Sequence, residues 1–396
     1  MTLQYLEDLS VLPPESRLCL YGAGSKGVRF YDLLRSLRQD VQVLAFVDTY
    51  KEGEWEGVPI LRPEDLPRMR DRMDGIVITS LFVDEIRQEI EAREMNCPMF
   101  YYNSTAALSR NSLDPCKDGD LCLIHANCQG EALLGMLCES PSFAAAYRVL
   151  NFYNFSTQDP SPDLLGRCTL FLYQDTPRSR TCLPSLKAGT RAVCIPKISW
   201  RVFWPFNSNT LRRYPYGDHY VLDMIQKGYS RDEILRAYRS LDVHALVDLD
   251  HLLKANLRYL SSAHNSKDVN VAGFVRERFR SSRLFSALNH PLKSILLLAA
   301  NRVLELTGHD MLTEKDISPV EELGDGFEMP IHPSIVRHFG LEFADARTTC
   351  RQFGEEVDFD SYLENYIDSE LAEKTVFNDF HVQRHSPMPR SAQGQG

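Results

Sequence analysis

The stretch "LCLIHANCQGEALLGML", residues 121–137, carries the decisive pattern of the chain. An apolar run of strand length passes directly into a segment whose apolar residues recur at helical spacing, so it reads as strand, tight turn, helix. His125, Asn127, Cys128 and Gln129 crowd the joint. A joint of this kind in a parallel sheet pushes its central side chain into the crevice at the carboxyl edge of the strands, where α/β domains bind ligands. Unpaired amides in the first helical turn favour thiolate over thiol at Cys128. Asn127 and Gln129 are amide donors suited to a carbonyl or a phosphate. His125 lies two positions before Asn127, the spacing of side chains on one strand face. The bland alternatives are that Cys128 simply packs, as free cysteines usually do, and that His125 is a satisfied structural histidine.

Working upstream, "LCLYGAG" (18–24) followed by "VRFYDLLRSL" repeats the strand, turn and helix pattern, and "VQVLAFVD" (41–48), "GIVITS" (75–80) and "VDEIRQEIEAREM" continue the alternation. Residues 53–59, with Gly53, Gly57 and Pro59, read as a loop. Alternation of this kind predicts a doubly wound parallel sheet. Gly22, Gly24 and Gly27 form G-x-G-x-x-G between a strand and a helix, and Asp48 closes the next strand where a ribose-binding acid would stand. Such glycines let backbone approach a diphosphate, or they only make a tight turn. With no catalytic Lys, Tyr or Cys for hydride transfer nearby, a binding role for NAD or a nucleotide-sugar is favoured over redox chemistry.

Residues 104–120 lose the periodicity and read as a linker, so the expected domains are 1–103 and 121–380. Beyond the opening stretch, "YRVLNFYNF" (147–155), "CTLFLYQ" (168–174) and "RAVCIP" (191–196) are strand candidates, and helices are expected over 241–263, 268–281 and 291–307. The tail 381–396 lacks apolar anchors and reads as disordered.

A formal charge of -10 argues against general attraction to nucleic acid or anionic lipid. Ten cysteines without a Cys-x-x-Cys pair or a secretory leader read as reduced thiols in a cytoplasmic protein, and the apolar run "SILLLAA" is too short to cross a bilayer. No His and Cys spacing matches a closed zinc site. One segment departs from the acidic average: between Thr176 and Arg213 stand Arg178, Arg180, Lys197 and Arg201 among other cations, with no Asp or Glu. Trp200 and Trp204 lie in the same segment, offering faces for an adenine or a sugar if they are not core residues. "LNHPLKS" puts His290 before Pro291 at an expected helix start, where a histidine could act as a base or merely cap and pack.

"YGAGSKG" with "FVDTYKEGEWEGVPI" and "IVITS" resembles the Rossmann-like domain that accompanies sugar O-acyltransferases. "HANCQGEALLGML", "CTLFLYQ", "VCIPKISWRVFWPF" and "RERFRSSRLFSALNHPLKSILLLAANRVLELTG" resemble, in order, the WcbI-type polysaccharide biosynthesis family. The resemblance implies an α/β protein: an N-terminal Rossmann-like parallel-sheet domain, then a WcbI-like domain with a small α/β core inside a mainly helical cradle. It further implies coenzyme A binding and an acetyltransferase role in capsule or other surface polysaccharide biosynthesis, alongside glycan biosynthesis enzymes. Asn127, Cys128 and Gln129 carry over directly, Gln174 and His290 more weakly; His125 has no counterpart. The expectation is an acyl-coenzyme A O-acyltransferase acting on a sugar. A non-catalytic binding scaffold and a cysteine-dependent thioester or glycan-ester hydrolase are the alternatives.

Overall fold

The structure is a computed structural model that describes residues 3–80, 82–102, 119–155, 158–208, 214–324, 326–345 and 347–384. Most of the expected linker and most of the expected tail fall outside the described residues. By its contacts the chain divides into two units: Met1–Ile198, Tyr259–Phe274 and Leu292–Leu323 in the first, Ser199–Arg258, Val275–Pro291 and Gly324–Gly396 in the second.

The first unit contains two parallel sheets. Its N-terminal sheet is built from β1 (Leu3–Tyr5), β2 (Arg17–Tyr21), β3 (Gln42–Val47), β4 (Gly53–Trp55), β5 (Val58–Leu61), β6 (Gly75–Ile78) and β7 (Met99–Tyr101), in spatial order β1-β7-β6-β2-β3-β5-β4. All neighbours are parallel except the β4–β5 hairpin. That hairpin replaces the expected loop. Glu56 and Gly57 take φ of 48° and 79°, the paired positive values that let a two-residue turn follow the twist of its strands. Helices α1 (Ser25–Leu37) and α2 (Val83–Ala92) supply crossovers, and Phe30, Leu34, Phe46 and Phe100 are among the residues that pack one core of this sheet.

The glycine turn between β2 and α1 is held by its own chain. Asp48 accepts hydrogen bonds from the amides of Ala23 (2.8 Å), Tyr50 (2.9 Å) and Lys51 (3.0 Å), and Lys51 Nζ donates to Ala23 O at 2.9 Å. Burial raises the Asp48 pKa, but the three amides and the Lys51 charge outweigh it, so the carboxyl sits below its ordinary value. The stabilisation is therefore complete above the unfolded value, about 3.9, and is lost as pH falls through the lower folded value. Asp48→Asn is expected to cost about 1 kcal/mol at pH 7 and far less at pH 3, as urea denaturation at the two pH values will show.

The second sheet of this unit contains β8 (Asp120–Ala126), β9 (Tyr147–Tyr153), β10 (Leu170–Tyr173) and β11 (Arg191–Cys194), all parallel, in the order β11-β10-β8-β9. After β8 the chain moves first to one neighbour, β9, and then to the other, β10, so the topological switch point lies at the carboxyl end of β8. Helix α3 (Cys128–Cys138) begins there and packs on Ile124 and Ala126 below and on the helix Lys293–Thr307. The two sheets meet through a Tyr5–Phe152 ring contact at 4.7 Å, an Arg148–Asp8 ion pair and an Arg167–Glu7 ion pair at 2.8 Å.

The second unit is mainly helical, with His219–Gln226, Arg231–Arg239, Leu249–Leu260 and Phe359–Arg384 as its longer helices. Ser230 and Glu233 form a capping box at the start of Arg231–Arg239. No described helix is long and apolar enough to cross a membrane.

Candidate functional site

At the carboxyl edge of the second sheet, the strand ends are tied together by three side-chain amides. Asn127 caps α3 by accepting from Gln129 N, at 3.0 Å. Gln174, just past β10, accepts from Asn127 N (3.0 Å) and donates to Asn127 Oδ1 (3.1 Å), Gln129 Oε1 (3.2 Å) and Pro196 O (3.3 Å). Gln129 grips the chain beyond β11, donating to Ile198 O at 2.6 Å and accepting from Ile198 N at 3.0 Å. All three residues are buried. Their amide groups fix the turn from within, while Cys128 beside them keeps partial exposure.

The expected thiolate is corrected by this setting. Burial raises the Cys128 pKa most, and the Glu131 carboxylate adds to it. The amides of Cys128 and Gln129 pull the other way but too weakly, and the thiol is pushed up to about 11. At neutral pH Cys128 is protonated.

His125 does not join Cys128. It is fully buried in β8 beside Phe171, on the sheet face opposite to α3. Asp159 Oδ1 lies 3.3 Å from its Nε2, and Cys182 Sγ lies 4.0 Å from Nδ1. Burial lowers its pKa, Asp159 opposes and Arg178 assists, so it is a neutral core residue.

Two cations of the basic segment are paired with acids. Arg178 pairs with Asp159 at 2.6 Å and Arg180 with Asp175 at 2.6 Å, both acids preceding the acid-free stretch; Lys197 stays exposed. Arg201, Trp200, Trp204 and His290 belong to the second unit. Arg201 is exposed there. Trp200 is 0% exposed and stacks on Phe285 at 5.3 Å and 3°, with Phe203 and Phe279 around it, so it offers no face to a ligand. Trp204 is buried and donates to Pro330 O at 2.9 Å. His290 and Pro291 form a short strand against Phe285–Ala287, and the helix starts only at Lys293, after Leu292; the strand pairing displaces the expected helix start. Burial drives the His290 pKa down to about 4, and its Nε2 lies 3.4 Å from Tyr216 Oη.

Sequence reasoning missed three side chains gathered around Cys128. Glu131 lies three residues on, and Tyr153, at the end of β9, donates its hydroxyl to Glu131 Oε2. Lys26, in the first turn of α1, places its ammonium 5.5 Å over the Tyr153 ring. Helical spacing alone pairs Cys128 with Glu131; nothing local announces Tyr153 or Lys26. Among the described residues no group of three or more His, Cys, Asp or Glu side chains is placed to hold a metal.

A partly exposed cysteine at the mouth of a helix, on the switch point of a parallel sheet, stands where α/β domains place their ligand sites, at the carboxyl ends of the strands. Residues 121–312, just under half of the chain, match the family model of the polysaccharide biosynthesis enzyme WcbI. Residues 15–98 match the C2185-like N-terminal domain model. Among solved structures, that of WcbI, a polysaccharide biosynthesis enzyme, aligns with TM-score 0.53 and 19% identity over 68% of this chain and 96% of its own. That structure is described as the native protein without a disulfide bond between coenzyme A and a cysteine. UDP-D-quinovosamine 4-dehydrogenase from Vibrio fischeri aligns over 25% of this chain and 86% of its own at 20% identity, with a TM-score of only 0.21. No curated protein matches the chain.

Proposed function

We propose that the chain is an acyl-coenzyme A-dependent O-acyltransferase, transferring acetyl to a sugar hydroxyl in capsule or other surface polysaccharide biosynthesis. The observation that carries this reading is Cys128: a partly exposed thiol at the switch point of a WcbI-family domain, fixed by Asn127, Gln129 and Gln174. A thioester carrier bound at this crevice brings its sulfur to Cys128, and a WcbI structure described as free of a disulfide between coenzyme A and a cysteine supports a carrier sulfur beside a thiol. The raised thiol favours donor positioning over covalent catalysis.

Titration of the full chain with acetyl-coenzyme A is the test. Saturable binding is expected, with protection of Cys128 from iodoacetamide; absence of heat beyond dilution removes the reading. The glycine turn around Gly22, Gly24 and Gly27 is the place proposed for a nucleotide-sugar or NAD. Parallel titrations with UDP-sugars and NAD test that separately, with Asp48 already engaged by the turn.

A further inference from the structure

Cys128 and Glu131 occupy one face of α3, and both reach solvent, while Gln129, Gly130 and Ala132 are buried. The Glu131 carboxylate is approached from three further elements. Tyr153 donates to it from β9, Lys26 overlies Tyr153 from α1, and Tyr102 and Arg29 of the N-terminal sheet domain feel its charge. Helix capping does not require this carboxylate, since Asn127 already caps α3. A negative charge near a helix N-terminus contributes only about 0.3–1 kcal/mol. Against that small gain it raises the thiol beside it. A carboxylate held beside a protonated thiol suits proton transfer during direct attack.

We propose that Glu131 is the general base of acyl transfer and that Lys26, from the N-terminal domain, is a positioning residue that holds the Glu131–Tyr153 pair. The proposal rests on the acyltransferase reading above. The acceptor O–H gives its proton to the Glu131 carboxylate as its oxygen attacks the thioester carbonyl. The tetrahedral intermediate collapses, the C–S bond breaks, and coenzyme A leaves as a thiolate that takes the proton back from Glu131. Atoms and charge balance without an acyl-enzyme, and Cys128 remains a thiol lining the donor sulfur. Burial lowers the Lys26 pKa while the Glu131 charge opposes that shift, as expected of an ammonium placed to serve a nearby carboxylate.

The experiment follows free thiol released from acetyl-coenzyme A by the full-length protein with UDP-sugars as acceptors and with water alone, together with the affinity for acetyl-coenzyme A and the pH profile of Cys128 alkylation. Glutamine still accepts the Tyr153 hydroxyl, so Glu131→Gln is expected to melt as the wild type. It should keep its affinity and lose about 100-fold or more in rate. With the neighbouring charge gone, its alkylation midpoint should fall below that of the wild type. Lys26→Met should lower the rate without changing affinity, and Lys26→Arg should restore it. Wild-type turnover in Glu131→Gln overturns the base while sparing the transferase reading. An acetylated Cys128 in the wild type overturns direct transfer. Acetyl-coenzyme A that binds but is consumed by the wild type neither with water nor with any UDP-sugar overturns both.

Discussion

Gln174→Leu is expected to lower stability by about 2–4 kcal/mol and to weaken acetyl-coenzyme A binding. Gln174 is 0% exposed and both ends of its amide are engaged: its oxygen takes Asn127 N and Asn154 Nδ2, and its nitrogen reaches Asn127 Oδ1, Gln129 Oε1 and Pro196 O. Leucine matches the volume but answers none of these groups. Gln129 Oε1 keeps Ile198 N and Asn127 Oδ1 keeps Gln129 N, which limits the damage. Asn127 N loses the acceptor that holds it, and a buried donor without a partner costs about 1–3 kcal/mol by itself. The turn bearing Cys128 is then anchored only through Gln129. Urea denaturation should show a lower midpoint with an unchanged slope, and titration a weaker donor.

The same network explains how much of the site could be read in advance. Both strand, turn and helix joints were visible, because an apolar run changing to helical spacing is a local pattern; Arg17–Tyr21 with Ser25–Leu37 and Asp120–Ala126 with Cys128–Cys138 confirm it. Polar residues at the second joint marked the site. Their division of labour did not show, because Asn127 and Gln129 act through Gln174 and Ile198, distant in sequence. The thiolate expectation failed for a related reason. Helix amides are a local effect, whereas burial and the Glu131 charge follow from packing. The two tryptophans were ambiguous from composition, and the contacts of Trp200 with Phe285 and Phe279 decide for core packing. Short edge pieces such as Leu3–Tyr5 and the Gly53–Leu61 hairpin carry too few apolar residues to register a period.

Gly27→Ala is expected to destabilise the N-terminal sheet by about 3 kcal/mol, because the added methyl meets backbone that cannot retreat. A Cβ at Gly27 would lie 1.9 Å from Gly22 O and 3.0 Å from Thr79 Oγ1. Gly22 O is itself held by the Thr79 hydroxyl at 2.9 Å, and Gly22 adopts φ of 120°, a conformation closed to ordinary side chains. The first turn of α1 must therefore lift away from β2. Lys26 moves with it, although Tyr102 Oη holds Lys26 O at 3.1 Å and Phe30 stacks on the Tyr102 ring at 4.9 Å. Disturbing this turn reaches Tyr153 and Glu131 through the Lys26 ammonium, so thiol release from acetyl-coenzyme A should slow as well. Gly24→Ala is the control for stability: a Cβ there meets nothing within 4 Å, and the change should leave the urea midpoint close to wild type. If Gly27→Ala behaves like Gly24→Ala, the glycine turn is not the close helix-to-strand contact described here, and its link to the Cys128 crevice falls with it.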